Sequence, residues 1–178
     1  MDQVMKILAI SGSLRRGSSN TTLLEAFKLL APADVDIILF EGLASLPHFN
    51  PDDDGESAPT TVMEFRNQLQ QCDGVLISSP EYAHGVPGSL KNALDWIVSS
   101  GELYRKPVAL INASSRATQA QTSLIEIINT MGAIHTFETV ALDGKRMEAV
   151  EIASESEIAR QVHSAISGFV EAIKNRRS

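Results

Sequence analysis

The chain has 178 residues, enough for one domain with a sizeable core. Hydrophobic residues make up 43% and charged residues 21%, which excludes a disordered chain, a collagen-like repeat and a disulfide scaffold. A net charge of −7 disfavours nucleic-acid binding, and the single cysteine, Cys72, excludes an internal disulfide and a cysteine-based zinc site.

Val4 to Ile10 is an apolar run with few polar breaks, which predicts a first strand buried on both faces. Lys6 lies within this run, and Arg15 and Arg16 follow it. A secretory signal would carry its basic residues ahead of the run, so we expect no export signal and a cytoplasmic protein. Asn20 or Thr21 can cap a helix to about Leu30, with Leu23, Leu24, Phe27 and Leu30 on one face. Val35 to Phe40 reads as a second strand, and Glu41 to Pro59 as a long loop rich in Pro, Asp and Gly. Val62, Phe65 and Leu69 predict a helix over Thr60 to Gln71. Gly74 to Ser79 is a third strand, and Pro87 at N1 opens a helix to about Val98. Pro107 to Ala113, Gln119 to Met131 and His135 to Leu142 read as strand, helix and strand. Met147 to Glu157 is an acidic connector to a last helix striped by Ile158, Val162, Ile166, Phe169 and Ile173. Apolar runs such as Val108 to Ile111 have strand length, well short of the ~20 residues of a membrane span.

Five strands alternating with five helices imply a doubly wound α/β sheet in a single domain over residues 1–178. Two strand orders fit, 2-1-3-4-5 and 3-2-1-4-5. In either, ligands bind beyond the carboxyl ends of the strands, so the loops after strands one, three and four carry the chemistry.

The first of these loops, Ser11 to Thr21, is dense in hydroxyls, holds Arg15 and Arg16 and contains no acid. Such a loop at a helix N-terminus suits an anion. Its bland reading is a polar turn with a helix cap. Gly12 and Gly17 have Walker A spacing, but Ser18 stands where the lysine belongs. The dinucleotide pattern G-x-G-x-x-G is absent as well, so a terminal phosphomonoester is the better ligand. The second loop runs from Ser78 to Trp96. Pro80 and Pro87 bracket it, Tyr82 and His84 offer planar groups, and Gly85 and Gly88 permit close backbone approach to a flat ring. Its bland reading is a stiff strand-to-helix turn with Trp96 in the core or at a subunit interface.

Other groups read as ordinary. Asp52, Asp53, Asp54 and Glu56 form a solvated acidic loop, and His48, His84, His135 and His163 lack metal spacing, so no metal site is expected. There is no Gly-x-Ser-x-Gly elbow, and Ser78 stands where a Cys-x5-Arg phosphatase needs arginine.

The first loop together with Pro80-Glu81-Tyr82, Gly85, Pro87-Gly88 and Leu90-Lys91-Asn92-Ala93, then Asp95-Trp96, resembles the NADPH-dependent FMN reductase family. The likeness runs from strand one to strand five. It implies a flavodoxin-like three-layer sandwich with strand order 2-1-3-4-5 and bound FMN. By position it sets the FMN phosphate on Ser13, Arg15, Ser19, Asn20 and Thr21. It sets the flavin ring against Pro80, Glu81, Tyr82, Ala83 and Gly85, with Ser114 and Ser115 closing the pocket and Arg116 in reach of an NADPH phosphate. The family usually has Asn after the Tyr; Ala83 removes that side-chain contact and leaves the backbone ones. The implied activity passes hydride from NADPH to FMN. From there it goes to a quinone, azo compound, metal oxyanion or free flavin, in a ping-pong cycle that uses no catalytic side chain. A homodimer or homotetramer is implied, with Leu90 to Trp96 and the fourth helix as candidate interface. The alternatives are a flavodoxin-type electron carrier that does not oxidise NADPH, and a flavin-free binding domain.

Overall fold

The computed structural model describes residues 4–142 and 146–177, with the side chains of Glu56 and Arg177 outside that description. Five parallel strands form one sheet in the order β2-β1-β3-β4-β5. They are β1 (Met5–Ser11), β2 (Val35–Leu39), β3 (Gly74–Ser78), β4 (Pro107–Asn112) and β5 (Ile134–Thr139). This is the order that the family resemblance implied, and the other order falls.

The apolar runs of the inner strands split by period two between the faces of the sheet. Ile7, Ala9, Leu76, Ala109 and Ile111 pack against α1 (Ser19–Leu29), α5 (Ala149–Ser154) and α6 (Ser156–Arg177). Leu8, Ile10, Val75, Ile77, Val108 and Leu110 pack against α2 (Thr60–Gln71), α3 (Gly88–Asp95) and α4 (Gln119–Thr130). β3 and β4 are buried along their whole length, whereas β5 forms an exposed edge. Gly74 lets α6 approach the sheet: a Cβ there would meet Ile173 Cδ1 at 2.7 Å and Phe169 Cζ at 2.8 Å.

Four local readings change. The stretch read as a connector contains α5, which a reciprocal Glu148–Glu151 capping box starts. Pro87 is the N-cap of α3 rather than its first residue, and α3 ends at Asp95 instead of near Val98. After Asp95 the chain tightens into i→i−3 turns, Ile97 N to Leu94 O at 3.1 Å and Val98 N to Asp95 O at 3.4 Å, and Arg66 Nε and Nη2 donate to the Trp96 carbonyl at 3.1 and 2.5 Å. The loop between β2 and α2 is not plain coil but holds three 3-10 turns, Gly42–Ser45, Pro51–Asp53 and Gly55–Ser57. Leu90, Ala93, Leu94 and Trp96 are buried within the chain.

Asp54 does not stay solvated with Asp52 and Asp53. It accepts from Arg66 Nη2 at 2.6 Å and from Ser99 Oγ at 2.5 Å. The Arg66 guanidinium, helped by Ser99, lowers its pKa to about 2. Among the described residues no three His, Cys, Asp or Glu side chains are grouped to hold a metal, and no helix is long and apolar enough to cross a membrane.

Candidate flavin site

The ends of β1, β3 and β4 open onto a cavity of about 410 Å³. Gly12 keeps the floor tight: its N–H donates to Ser78 O at 2.8 Å, extending the β1–β3 ladder past the strand end. A Cβ at Gly12 would meet Ser79 Oγ at 2.6 Å and Leu90 Cδ2 at 3.0 Å, so only glycine permits this approach. Ser18 caps α1 by accepting from Asn20 N at 3.3 Å. Ser78 Oγ donates to Asn20 Oδ1 at 2.9 Å, which pins the start of α1 to β3. Thr21 Oγ1 donates to Ser11 Oγ at 2.8 Å. Thr22 N begins the helix ladder by bonding Ser18 O at 2.9 Å. Among the described residues no acceptor takes the N–H of Ser19 or Thr21, and both lie at the positive end of the helix dipole.

The loop after β3 is a two-residue hairpin. Tyr82 and Gly85 exchange bonds, Tyr82 N to Gly85 O at 3.1 Å and Gly85 N to Tyr82 O at 3.0 Å. Ala83 and His84 at its tip are left-handed, with φ of 49° and 60°. Two such residues are what a type I′ turn demands. The Gly85 N–H is therefore taken within the hairpin, while no described acceptor takes those of Ala83 and His84. The Tyr82 hydroxyl lies 3.3 Å from Ser13 Oγ and joins the first loop to the second.

Glu81 joins the second loop to the third. Its Oε2 accepts from Ala120 N at 2.9 Å, capping α4, whose own N-cap residue Thr118 makes no side-chain cap. Its Oε1 lies 3.2 Å from His84 Nδ1. The Ala120 N–H, with burial opposing it, holds the carboxyl below its ordinary pKa. In the third loop, Asn112 accepts from Ser114 N at 3.0 Å and donates to Ala117 O at 2.9 Å.

Of the residues that the sequence reading selected, Ser19, Asn20, Pro80, Glu81 and Ser114 line the 410 Å³ cavity, and so does Arg116. Ser13, Arg15 and Thr21 line a different cavity of about 300 Å³, between the first loop and the end of β2, and Arg15 and Thr21 also line a third of about 470 Å³ that shares Ser19 with the first. Tyr82 and Ala83 are exposed on the hairpin, Gly85 is half-buried there, and Ser115 is exposed on the third loop. Ser78, Ser79 and Asn112 were missed. Their signal was a polar residue closing an apolar strand just before a chemistry-bearing loop.

The donor set fits a flavin mononucleotide: an acid-free hydroxyl and guanidinium loop with open helix N–H groups, then a slot between two stiff loops. The cavity volume lies within the roughly 300–1,000 Å³ of small-molecule sites. A model of the family described as NADPH-dependent FMN reductase matches residues 5–146. The chain belongs to that family. It is 37% identical over 118 residues to the quinone reductase of Escherichia coli (strain K12), across 65% of this chain and 62% of that protein. It is 37% identical over 117 residues to an NAD(P)H-dependent FMN reductase of Pseudomonas aeruginosa, across 65% of this chain and 63% of that protein. These matches therefore span less than two thirds of the relatives' length. The flavoenzyme NAD(P)H:(acceptor) oxidoreductase FerB of Paracoccus denitrificans superposes with a TM-score of 0.81 at 26% identity, covering 97% of this chain and 99% of that one. An apo NADH:FMN oxidoreductase superposes with a TM-score of 0.66 at 23% identity, covering 93% of this chain and 88% of that one, and shares the fold.

Proposed function

We propose that the chain is an FMN-dependent NAD(P)H oxidoreductase, built as one FMN-binding domain over residues 1–178. FMN, when bound, takes hydride from the nicotinamide and hands electrons to a small-molecule acceptor such as a quinone, azo compound, metal oxyanion or free flavin. The observation that carries this is the three-loop cradle, joined by Tyr82–Ser13 and Glu81–Ala120 across the strand ends. The open N–H groups of Ser19 and Thr21, with Ser13, Asn20 and Arg15, hold the phosphate. Pro80, Glu81, Tyr82, Ala83 and Gly85 flank one side of the flavin ring, and Ser114 and Ser115 the other. The hairpin-tip N–H groups of Ala83 and His84 are donors for the ring's carbonyl edge, where reduction builds negative charge. No protein nucleophile is required, and the acceptor and the coenzyme take turns in the same slot.

The same proposal includes a homodimer or homotetramer, with Leu90 to Trp96 and α4 as candidate interface, and a cytoplasmic location. A single gel-filtration peak at monomer mass would remove the assembly. Purified protein loaded with FMN and desalted should keep its absorbance near ~450 nm and bleach with NADPH under anaerobic conditions. Flavin that NADPH does not bleach would favour the electron carrier. Arg15→Ala should weaken FMN binding about tenfold or more, the worth of a charge-assisted phosphate contact; unchanged affinity would overturn the phosphate assignment.

A further inference from the structure

We propose that the His84 side chain is the acid that completes the reduction of a quinone-class acceptor at the mouth of the flavin slot; this rests on the oxidoreductase function proposed above. The family resemblance implied a cycle without a catalytic side chain, and the fold supplies one.

His84 is the second tip residue of the hairpin after β3, with a left-handed φ of 60°. A type I′ turn favours glycine there, so histidine takes the position at a conformational cost. Its ring is turned back onto its own loop. Nδ1 lies 3.2 Å from Glu81 Oε1, while Glu81 Oε2 accepts from Ala120 N at 2.9 Å. Glu81 lines the 410 Å³ cavity, so the imidazole stands at the cavity mouth, tied through one carboxylate to the start of α4. The His84 side chain is 85% exposed and that of Glu81 15%. With Nδ1 on the carboxylate, no described residue takes Nε2. That nitrogen is open both to solvent and to an acceptor that enters over a bound flavin.

Reducing a quinone takes a proton as well as a hydride. The hydride, supplied by the reduced flavin, forms an O–H bond at one carbonyl. The π pair of that carbonyl moves through the ring to the opposite oxygen, which forms its own O–H bond as the Nε2–H bond of His84 breaks. The quinone leaves as hydroquinone, and the imidazolium becomes a neutral imidazole with its Nδ1–H still on Glu81. Nε2 then regains its proton from solvent. Other groups here do not suit this role. Among the described residues the ionisable ones lining the cavity are Glu81 and Arg116. The Ala120 N–H keeps Glu81 in its carboxylate form, and a guanidinium does not release its protons. The Tyr82 hydroxyl is turned to Ser13. Histidine is the side-chain type that exchanges protons near neutral pH.

The test compares two acceptors with the FMN-loaded full chain and NADPH. Benzoquinone takes a hydride and a proton; ferricyanide takes single electrons and no proton. His84→Asn removes the imidazole and suits the left-handed backbone. In it the benzoquinone-to-ferricyanide ratio of kcat/KM should fall at least about tenfold, and imidazole added to the buffer should restore part of the loss. A binding readout stands beside the rates. Nitrophenol, a stand-in for the hydroquinone, should bind the FMN-loaded protein at least about tenfold more tightly than the FMN-loaded variant, followed by its phenolate absorbance. Retained flavin after desalting reports that the variant is folded. An unchanged ratio, a parallel fall of both rates, no rescue by imidazole, or nitrophenol binding equal in the two proteins overturns the proposal. A protein whose flavin NADPH does not bleach sinks the oxidoreductase function instead, and the nitrophenol titration then decides the role of His84 alone.

Discussion

Ala83 carries a conformational cost that its neighbours impose. Its φ of 49° is left-handed, where an L-residue with a Cβ loses roughly 1–2 kcal/mol relative to its right-handed form. Asn tolerates that region because its short polar side chain bonds locally, and Asn at the first central position is a preferred I′ turn residue. Ala83→Asn should therefore raise stability by about 0.5–1 kcal/mol, read as a higher denaturant midpoint at unchanged slope. A lower midpoint would show that the hairpin is not held in this turn in solution. Asp54 makes a second prediction. Its folded pKa, about 2, lies below the ordinary 3.8, so folding favours its charged form. The stabilisation is complete above pH 3.8, falls as pH drops below that value, and is gone once pH passes below about 2. Asp54→Asn should flatten that part of the acid limb in a pH series of unfolding curves. An acid limb identical to that of the unmodified protein would remove Asp54 from it.

The Asn92-to-Trp96 part of the family-like motif turns out to serve a different element from the one it suggested. Asn92 Oδ1 accepts from Phe49 N at 2.8 Å, and its Nδ2 donates to Pro47 O at 2.9 Å. Trp96 Nε1 donates to the same Pro47 O at 2.8 Å, and its ring packs edge-on against Phe49 with centroids 5.1 Å apart. α3 therefore clasps the long loop ahead of α2, and Arg66 with Asp54 closes the other end. This loop was legible only as polar and turn-rich, because most of its partners, Asn92, Trp96 and Ser99, lie more than forty residues away. Asn92→Ala removes both bonds and should cost about 1–3 kcal/mol. It should also speed protease cleavage between residues 47 and 54 while leaving the sheet intact. Unaltered cleavage kinetics would mean that Trp96 alone holds the loop. A third element-scale device escaped the sequence reading: Lys106 Nζ donates to Cys72 O at 2.7 Å and to Leu69 O, closing the carboxyl end of α2. Burial lowers the pKa of that ammonium, with the nearby Cys72 opposing the shift.

At the scale of the molecule, the family match ends at residue 146, yet the structure does not divide there. α6 supplies Ile158, Val162, Ile166, Phe169 and Ile173 to the core on one face of the sheet. Burying each such side chain stabilises by roughly 1.5–3 kcal/mol, and the five together are comparable to the roughly 5–15 kcal/mol net stability of most domains. A chain cut after Met147 should lose its cooperative unfolding transition by circular dichroism. A cut chain that keeps the transition would show that the sheet tolerates an uncovered face. The same scale decides the electrostatics. A net charge of −7 describes the average surface, while the strand ends gather arginines from the first and fifth strand-to-helix loops.

Period and composition by themselves determined the strands, most of the helices and the loops that matter. An apolar run buried on two faces, a hydroxyl-rich turn and a Pro-Gly bracket are local patterns that constrain local backbone. The carry-over by position then gathered Ser19, Asn20, Pro80, Glu81 and Ser114 at one cavity, because their loops all leave the same edge of a parallel sheet. Tertiary structure alone decided the rest. Glu81 caps a helix that begins far along the chain, Asp54 leaves its acidic neighbours for a buried guanidinium, and Arg146 lines one cavity with Arg15 and Arg16. Such partners leave no periodic trace, since hydrogen bonding and charge pairing depend on distance in space and not on spacing along the chain.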